Sequence, residues 1–358
     1  MPGRQLPVSL VQIEPTSRCN LACLTCVRGS HPQCWRERDL DKSILTSLLK
    51  ILPGNTVLHL QGWGEPLLNS QLPDFISLIQ QADLRVSLTS NGTVVEDKTM
   101  ADILVASGLD SLTFSMAGAK SHTQDALRGT GTFVRLEQAL DHINASKKEQ
   151  GRSGPILAIS YLLTPETIKE LPRAVSWCAR RGVSLLAGVH MTHPVSALQK
   201  SLQCFVSAPA GYKKYFRIAE LKAILHRMRL EMPAMSPHEV PVCAKNPLAS
   251  LFVAADGSVA PCVFLCSPCD QEKSPLVRAV FGNLHRDSLT TIWNSREYTE
   301  FRQAFARRLA FYDKTMARVG LDLDALERLE RANQAVRRYF IENPPPEPCR
   351  HCLKMQGA

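Results

Sequence analysis

The distribution of cysteine restricts this chain more than any other feature of its sequence. Twelve cysteines occur in 358 residues, and ten of them fall into three groups. The groups are Cys19, Cys23, Cys26 and Cys34, then Cys243, Cys262, Cys266 and Cys269, and finally Cys349 and Cys352. The sequence starts without the apolar stretch of a secretory signal, so we expect a cytoplasmic protein in which disulfides do not persist. Grouped cysteines in such a protein predict metal sites.

The rest of the composition is that of a folded protein with an ordinary core. Apolar residues make up 44% of the chain, but no stretch approaches the ~18 consecutive apolar residues of a membrane span. The formal net charge of +9 would suit an anionic partner. Many basic residues, however, lie between Arg302 and Arg338, where the spacing predicts a helix whose charges face water. We therefore expect neither a membrane nor a nucleic acid as a partner.

Strand-like and helix-like segments alternate through the first part of the chain. The predicted strands are 8–14, 57–61, 85–89, 111–115, 156–163 and 183–189. Six successive strand–helix units predict a parallel α/β sheet with right-handed crossovers, either an open doubly wound sheet or an incomplete barrel. In both architectures the functional site lies at the C-terminal ends of the strands.

The sequence pattern changes after residue 193. The segment 212–230 is predicted to be a helix and is followed by several prolines, so this region is a predicted linker. Extended runs on either side of Asp256-Gly257 predict a β-hairpin. The segment 299–341 is predicted to be mostly helical. The predicted division is therefore an α/β domain at 1–193, a linker with a helix at 194–241, and a small α+β domain at 242–358.

The first cysteine group has the spacing CxxxCxxC, at Cys19, Cys23 and Cys26, directly after the first predicted strand. Soft thiolate ligands select iron–sulfur clusters, zinc or Cu(I). Three thiolates on a cubane cluster leave one iron open to another ligand. A zinc site completed by Cys34 or His31 is the alternative, but structural zinc usually pairs two CxxC units. The spacing therefore favours an iron–sulfur cluster.

Three further segments each follow a predicted strand. They are GWGEP at Gly62–Pro66, TSNG at Thr89–Gly92 and SMAG at Ser115–Gly118. Together with CxxxCxxC they resemble the radical S-adenosylmethionine (radical SAM) superfamily, in which a GGEP motif binds the amino group of SAM. The resemblance covers residues 8–190. It implies SAM contacts at Gly62, Trp63, Gly64, Glu65, Asn91 and Ser115.

Two positions depart from the family pattern. Thr25 precedes the third cysteine, where the family usually has an aromatic residue that rests on the adenine. Ala117 replaces an acidic residue of the segment after the fourth strand. The pair Arg128-Gly129 agrees with an RG pair that the family carries downstream. Neither departure touches the cysteines, and both concern the positions from which the family contacts adenine and ribose, so the resemblance does not assign those contacts in this chain.

The resemblance implies a partial (β/α)6 TIM-like barrel and a [4Fe-4S] cluster coordinated by the three cysteines and SAM. One electron from the cluster would cleave SAM to methionine and a 5′-deoxyadenosyl radical, which abstracts hydrogen from a substrate. It also implies an electron donor such as flavodoxin or ferredoxin. The protein contributes positioning, cluster tuning and exclusion of water. No side chain is assigned as catalytic.

The C-terminal cysteines form a second pattern. C-x13-G-x4-C runs from Cys243 to Cys262, and CxxC runs from Cys349 to Cys352, with the segment FGNL at 281–284 between them. This order resembles the SPASM or twitch extension of radical SAM enzymes. It implies one auxiliary [4Fe-4S] cluster held by these four cysteines in a small iron–sulfur domain. A second auxiliary cluster would need more cysteines after the last pair.

Several residues are left with two interpretations. Cys266 and Cys269 form a CxxC that would suit a metal, or they are loop thiols beside the cluster. A zinc ribbon is the alternative for the C-terminal group. Cys34 is interpreted as a non-ligand, because a fourth thiolate would close the open iron. His190 and His193 follow the sixth predicted strand and would face a substrate, although an ordinary core or loop position is favoured.

The sequence thus predicts a radical SAM oxidoreductase that acts on a small molecule or a peptide, in peptide modification or cofactor maturation. The stretches Ile13–Thr16 and Cys23–Arg28 are most similar to the subgroup associated with tungsten or molybdenum cofactor enzymes. Only 18 residues precede Cys19, so no preceding peptide-recognition domain is expected. The alternative is a non-enzymatic zinc module that binds metal or nucleic acid, but it leaves GWGEP and the strand–helix units unexplained.

Overall fold

The computed structural model describes residues 6–269, 277–320 and 324–358. Residues 1–5, where no secretory signal is predicted, lie outside the described residues. So do residues 321–323 of the predicted helical segment 299–341.

Parallel strands run through residues 6–190, all of which the structure describes. They are β1 (Leu10–Ile13), β2 (Val57–Leu60), β3 (Arg85–Ser90), β4 (Ser111–Met116), β5 (Ile156–Leu163) and β6 (Leu185–His190). Each pairs in parallel with the next, so their order in the sheet is their order along the chain. A doubly wound sheet reverses its strand order at a switch point. The unreversed order confirms the predicted α/β fold with the parallel sheet of a partial barrel.

Helices connect these strands and cover the sheet. They are α1 (Val27–Ser30), α2 (Lys42–Leu49), α3 (Leu72–Gln81), α4 (Lys98–Ala106), α5 (Ser121–Arg128), α6 (Thr132–Glu149) and α7 (Thr167–Arg180). The Asp41 carboxylate caps α2 by accepting a hydrogen bond from the Ser43 N–H at 2.8 Å. The apolar stripe of α3, which includes Phe75, Ile76 and Ile79, is fully buried. The core therefore lies between the helices and the sheet.

The segment predicted as a linker adds a strand to the sheet. It contains α8 (Ala197–Ser201), α9 (Tyr212–Leu225) and β7 (Arg229–Glu231), which pairs in parallel with β6. The predicted helix 212–230 is five residues too long, because Arg227 adopts a left-handed conformation with φ of 52°. The strand that follows has no apolar run, since its two end residues are charged and exposed. The sequence pattern therefore gave no signal for β7.

The C-terminal region extends the same sheet at its opposite edge, beyond β1. The strands β8 (Ser250–Val253), β9 (Ser258–Ala260) and β10 (Gly282–Asn283) are followed by α10 (Leu289–Trp293), α11 (Arg296–Met316) and α12 (Ala325–Glu342). Antiparallel β8 and β9 form the predicted hairpin, with Gly257 at φ of 78° in its turn. β8 also pairs in parallel with β1, over the register Leu10↔Ser250 to Ile13↔Val253. In the described residues the sheet order is thus β10-β9-β8-β1-β2-β3-β4-β5-β6-β7.

The sequence predicts that the basic residues of α11 face water, but one of them is buried. The Arg308 side chain is fully buried, and its guanidinium lies 3.8 Å from the centre of the Phe340 ring. It donates hydrogen bonds to Glu239 Oε1 at 2.6 Å and to the Asn343 carbonyl at 2.7 Å. These contacts tie α11 to the segment before Cys243 and to the end of α12, so this arginine is structural.

In the part of the chain that the structure describes, no helix combines the length and apolar character that crossing a membrane requires.

Candidate functional site

A cavity of about 340 Å³ opens at the C-terminal ends of the parallel strands. It collects residues from the loops after β1, β2, β3 and β6 and from the C-terminal end of β4, which lie far apart in the sequence. The residues predicted for the first cluster and for SAM all line it. They are Cys19, Cys23, Cys26, Gly62, Trp63, Gly64, Glu65, Asn91 and Ser115. The site predicted from scattered motifs is therefore one continuous surface.

The three cysteines lie in a loop that folds back on itself after β1. The Cys26 N–H donates to the Cys23 carbonyl at 3.1 Å, and the Leu24 N–H anchors the loop on the Leu127 carbonyl at 3.0 Å. Burial raises the pKa of the thiols of Cys19, Cys23 and Cys26 above the ordinary value of 9.0. Without a cation these thiols stay protonated at neutral pH, whereas bound metal would stabilise the thiolates.

Arg128 is the cation that faces this cysteine loop. Its positive charge lowers the pKa of Cys23 and of Cys26, although burial outweighs it at both. The guanidinium Nε is buried and donates no hydrogen bond within the described residues. A buried donor without an acceptor is costly, so this atom fits an anionic group that enters the cavity.

The GWGEP segment packs against the end of β1 without room for side chains at its two glycines. A Cβ atom at Gly62 would overlap the side chain of Glu14. A Cβ at Gly64 would overlap the Thr16 carbonyl and lie 2.6 Å from the carbonyl oxygen of Arg18. The glycines thus let the backbone of this segment pack closely against residues 14–18, and both glycines line the cavity.

Glu14 is buried against the GWGEP segment, and its role could not be predicted from the sequence. Its carboxylate accepts hydrogen bonds from the N–H groups of Trp63 at 2.7 Å and Ala255 at 3.1 Å. Burial raises the pKa of Glu14, and the backbone donors oppose that rise. Because the sequence distance from Glu14 to Ala255 is 241 residues, no local pattern reports this contact.

Glu65 of the GWGEP segment positions the next loop. Its carboxylate accepts from the Ser90 hydroxyl at 2.8 Å and from the Asn91 N–H at 2.7 Å. Burial raises the pKa of Glu65 despite these donors. Asn91 in turn donates from Nδ2 to Asn20 Oδ1 at 2.9 Å, which connects the loop after β3 to the cysteine loop. The polar residues of the cavity therefore hold one another in place.

A second cavity, of about 330 Å³, contains the C-terminal cysteines. Cys243, Cys262, Cys349 and Cys352 all line it. Burial raises the pKa of Cys262 to about 11 and raises the pKa values of the other three thiols as well. The four residues come from the segment before β8, the end of the hairpin and the chain end, so the fold brings the predicted auxiliary ligands to one cavity.

The two cavities share a wall. Thr192, His193, Lys245 and Phe264 line both of them. The His193 ring stacks on Phe264 with centroids 3.9 Å apart, and its Nε2 lies 3.3 Å from Cys352 Sγ. Burial lowers the pKa of His193 from 6.5 to about 3. His193, for which the sequence favoured an ordinary core or loop position, lines the larger cavity and also contacts a candidate auxiliary ligand.

Lys245 is a cation of this wall that the sequence analysis did not single out. Its Nζ reaches Gln12 Oε1 on β1 at 3.4 Å, a long hydrogen bond. Burial lowers the pKa of Lys245, while the nearby Cys262 and Cys243 oppose that effect. A lysine two residues after a cysteine belongs to no recognisable motif, so its place in the wall could not be predicted from the sequence.

The remaining cysteines of the groups lie elsewhere. Cys34 and Cys266 line a smaller cavity of about 210 Å³ beside Trp35 and Trp63, and Cys269 packs against the same tryptophans. Among the described residues no three Cys, His, Asp or Glu side chains converge closely enough to hold a single metal ion. The cysteines of the two larger cavities instead face open volume.

Two family sequence patterns match the chain. The Radical SAM superfamily matches residues 13–178, and the family described as SPASM, an iron–sulfur cluster-binding domain, matches residues 243–315. The first match contains the cysteine loop and the loops after β2, β3 and β4. The second begins at the first of the C-terminal cysteines.

Two related proteins match this chain over different fractions of its length. A tungsten-containing aldehyde ferredoxin oxidoreductase cofactor-modifying protein of Pyrococcus furiosus is 25% identical over 309 residues, which cover 81% of this chain and 82% of that protein. The mycofactocin maturase MftC of Mycolicibacterium smegmatis is 26% identical over 184 residues, or 51% of this chain and 44% of the maturase. The match to the maturase therefore spans less than half of its length.

Solved structures share the fold at low identity. The enzyme anSMEcpe with bound AdoMet superposes with a TM-score of 0.61 at 18% identity, covering 83% of this chain and 80% of that one. SuiB of Streptococcus suis bound to S-adenosylmethionine gives a TM-score of 0.62 at 14% identity, with coverage of 82% and 68%. Both similarities extend beyond the barrel into the C-terminal region.

Proposed function

Because this chain belongs to the radical SAM superfamily and carries a SPASM domain, we propose that its two cavities hold an iron–sulfur cluster each and that SAM binds in the larger one. In this proposal Cys19, Cys23 and Cys26 hold the first [4Fe-4S] cluster. Cys243, Cys262, Cys349 and Cys352 hold the auxiliary cluster, and SAM lies against Gly62–Glu65, Asn91 and Ser115. As a radical SAM enzyme, the protein uses a [4Fe-4S] cluster to supply the electron that cleaves SAM to a 5′-deoxyadenosyl radical.

The observation that carries the proposal is the meeting of the predicted residues. Nine residues from three separate loops and the end of β4 line one cavity, and four cysteines line a second cavity that shares its wall. Metal ligands and ligand-binding backbone are expected to converge in this way at the C-terminal ends of barrel strands. A zinc module needs the cysteines alone, and it would not require the GWGEP segment to lie beside them.

The chain's own residues prepare the cavity for this chemistry. Glu65 and Asn91 fix the loops that would contact SAM, and Arg128 offsets part of the negative charge of the Cys23 and Cys26 thiolates. Trp63 donates from Nε1 to the Val263 carbonyl at 3.2 Å, and its ring meets Phe264 edge-on at 6.0 Å. This aromatic pair lines the cavity beside the hairpin and would help to exclude water from a reactive radical.

For the substrate, we infer that the protein acts in cofactor maturation. The tungsten cofactor-modifying relative matches over 82% of its length, whereas the mycofactocin maturase matches over 44%. Lys245 adds a partly buried amino group to the cavity wall, and in its protonated form this group would suit an anionic cofactor. Peptide modification is the second candidate, because the mycofactocin maturase matches 51% of this chain. We further propose a flavodoxin- or ferredoxin-like electron donor and a reducing, cytoplasmic setting.

The test is SAM cleavage by protein reconstituted with iron and sulfide under anaerobic conditions. We expect about eight iron atoms per chain, since each cubane holds four. With dithionite and SAM, the protein should form 5′-deoxyadenosine and methionine. Stoichiometric zinc without sulfide, or iron without any SAM cleavage, would refute the proposal.

A further inference from the structure

His193 is held in one orientation on the wall between the two cavities. Its Nε2 lies 3.3 Å from Cys352 Sγ, and its Nδ1 lies 2.8 Å from the Thr192 hydroxyl. One face of the ring stacks on Phe264 with an interplanar angle of 20°. Contacts at both ring nitrogens and at the ring face leave this imidazole little freedom to turn.

These contacts determine which nitrogen of the His193 ring carries the hydrogen. A neutral imidazole has one donor nitrogen and one acceptor nitrogen. A metal-bound cysteine sulfur is a thiolate and can only accept, so Nε2 must carry the hydrogen. Nδ1 then accepts from the Thr192 hydroxyl, which can turn to donate. The same arrangement, with a partner at the second nitrogen fixing the tautomer, is general for histidines at metal sites.

We propose that His193 is a positioning residue of the auxiliary cluster, and that its Nε2–H bond to Cys352 raises the reduction potential of that cluster. This inference rests on the proposed function, because Cys352 must be a cluster ligand. A hydrogen bond to a ligand sulfur offsets part of the negative charge that reduction adds, and so it favours the reduced state.

The position of His193 in the fold gives this bond a further consequence. The residue follows β6, so it belongs to the barrel and lines the cavity assigned to SAM and substrate. Its partner Cys352 belongs to the chain end. The barrel thus adjusts the auxiliary cluster through one side chain, and a substrate that moves the loop after β6 would change the potential of that cluster.

The test compares His193→Leu with His193→Gln in full-length protein that carries both clusters. Leucine removes the donor, whereas the glutamine side-chain amide places an N–H near the position of Nε2. The clusters are titrated with reductant and followed by electron paramagnetic resonance. The signal that changes on SAM addition belongs to the first cluster, and the other belongs to the auxiliary cluster.

At a fixed applied potential we expect the oxidised-to-reduced ratio of the auxiliary cluster to rise about fivefold in His193→Leu, the equivalent of one hydrogen bond of ~1 kcal/mol. In His193→Gln this oxidised-to-reduced ratio should return most of the way to the wild-type value. Thr192→Val, which no longer donates to Nδ1, should shift the ratio less but in the same direction, with Thr192→Ser as its unshifted control. Thr192→Val also tests the idea if His193→Leu fails to fold.

An unchanged ratio in His193→Leu and Thr192→Val, with full iron content, would overturn the inference. So would loss of about four iron atoms per chain in His193→Leu while Cys352→Ala keeps them, because His193 would then be a ligand itself. A wild-type protein without an auxiliary cluster would instead refute the proposed function, so the two failures are distinct.

Discussion

Glu14, at the end of β1, and Ala255, in the turn of the C-terminal hairpin, are joined by a hydrogen bond of 3.1 Å from the alanine N–H to the glutamate carboxylate. The same carboxylate accepts from the Trp63 N–H at 2.7 Å. A single buried side chain thus holds together the end of β1, the GWGEP segment and the C-terminal hairpin. The packing of the hairpin and the geometry of the proposed SAM site therefore depend on one another.

Replacing Glu14 should weaken this connection. Glutamine keeps one acceptor oxygen but turns an NH2 group toward a backbone N–H, so Glu14→Gln should lower the free energy of unfolding by about 1–3 kcal/mol. The measurement is urea unfolding of anaerobically prepared protein, followed by circular dichroism. Glu96→Gln, at an exposed position, is the control and should stay within about 0.5 kcal/mol of wild type. Equal stability of the two variants would show that the Glu14 bonds contribute nothing.

The close packing of the GWGEP segment makes a prediction about SAM affinity. Gly64→Ala should raise the dissociation constant for SAM at least about tenfold, or ~1.4 kcal/mol, because the new Cβ meets backbone carbonyls that cannot turn away. Gly54→Ala is the matched control, since no atom lies within 4 Å of a Cβ at that position. Anaerobic equilibrium dialysis with labelled SAM measures both. Unchanged binding by Gly64→Ala would place SAM elsewhere.

The two cysteine sets should be separable by substitution. Cys23→Ala should abolish 5′-deoxyadenosine formation, because the first cluster loses a ligand. Cys352→Ala should lose auxiliary iron while part of the SAM cleavage remains. Cys178→Ala, a buried position on α7 outside both cavities, should keep iron and activity. Iron analysis and product assays decide the matter: activity retained by Cys23→Ala, or loss of both clusters in Cys352→Ala, would contradict the assignment.

The buried His59 on β2 should make the folded protein less stable in mild acid. Burial lowers its pKa from 6.5 to about 4, so between these values the unfolded chain binds a proton that the folded chain does not. Stability should therefore be complete above pH ~6.5 and fall as the pH decreases, by about 2 kcal/mol from pH 7 to pH 5 for this group. Urea unfolding at the two pH values measures the effect.

His59→Gln should reduce that acid-induced loss by about the same 2 kcal/mol, since glutamine does not titrate. His226→Gln, at the exposed end of α9, should keep the wild-type response to pH. If both variants lose as much stability as wild type between pH 7 and pH 5, another group is responsible.

The sequence predicted the strands of the barrel and the meeting of its motifs for a physical reason. Each strand from β1 to β6 carries apolar residues that the sheet buries, and parallel strands expose their C-terminal ends at one edge. Loops that follow such strands must meet, so Gly62, Asn91 and Ser115 could be assigned to one cavity from their positions after strands. The hairpin around Gly257 was equally local, because its turn residues specify it.

What the sequence did not reveal depends on contacts between distant residues. Arg308 belongs to a run of basic residues, and its burial depends on acceptors such as Glu239 and Asn343 in other segments. Glu14 and Lys245 acquire their roles from partners more than two hundred residues away. Strand β7 has too few apolar residues to be recognised, and it forms because β6 offers an unpaired edge. Local periodicity cannot report such tertiary effects.

The pairing of β1 with β8 has a consequence for how this architecture can change during evolution. β1 lies between β2 and β8, so removal of everything after residue 241 would turn the strand that precedes the cysteine loop into an open edge, prone to pair with other chains. The part of the chain after residue 241 is therefore not a freely detachable unit, because its strand β8 covers the edge of β1. Chimeras between relatives should accordingly be soluble when β1 and β8 come from the same parent and prone to aggregate when they do not.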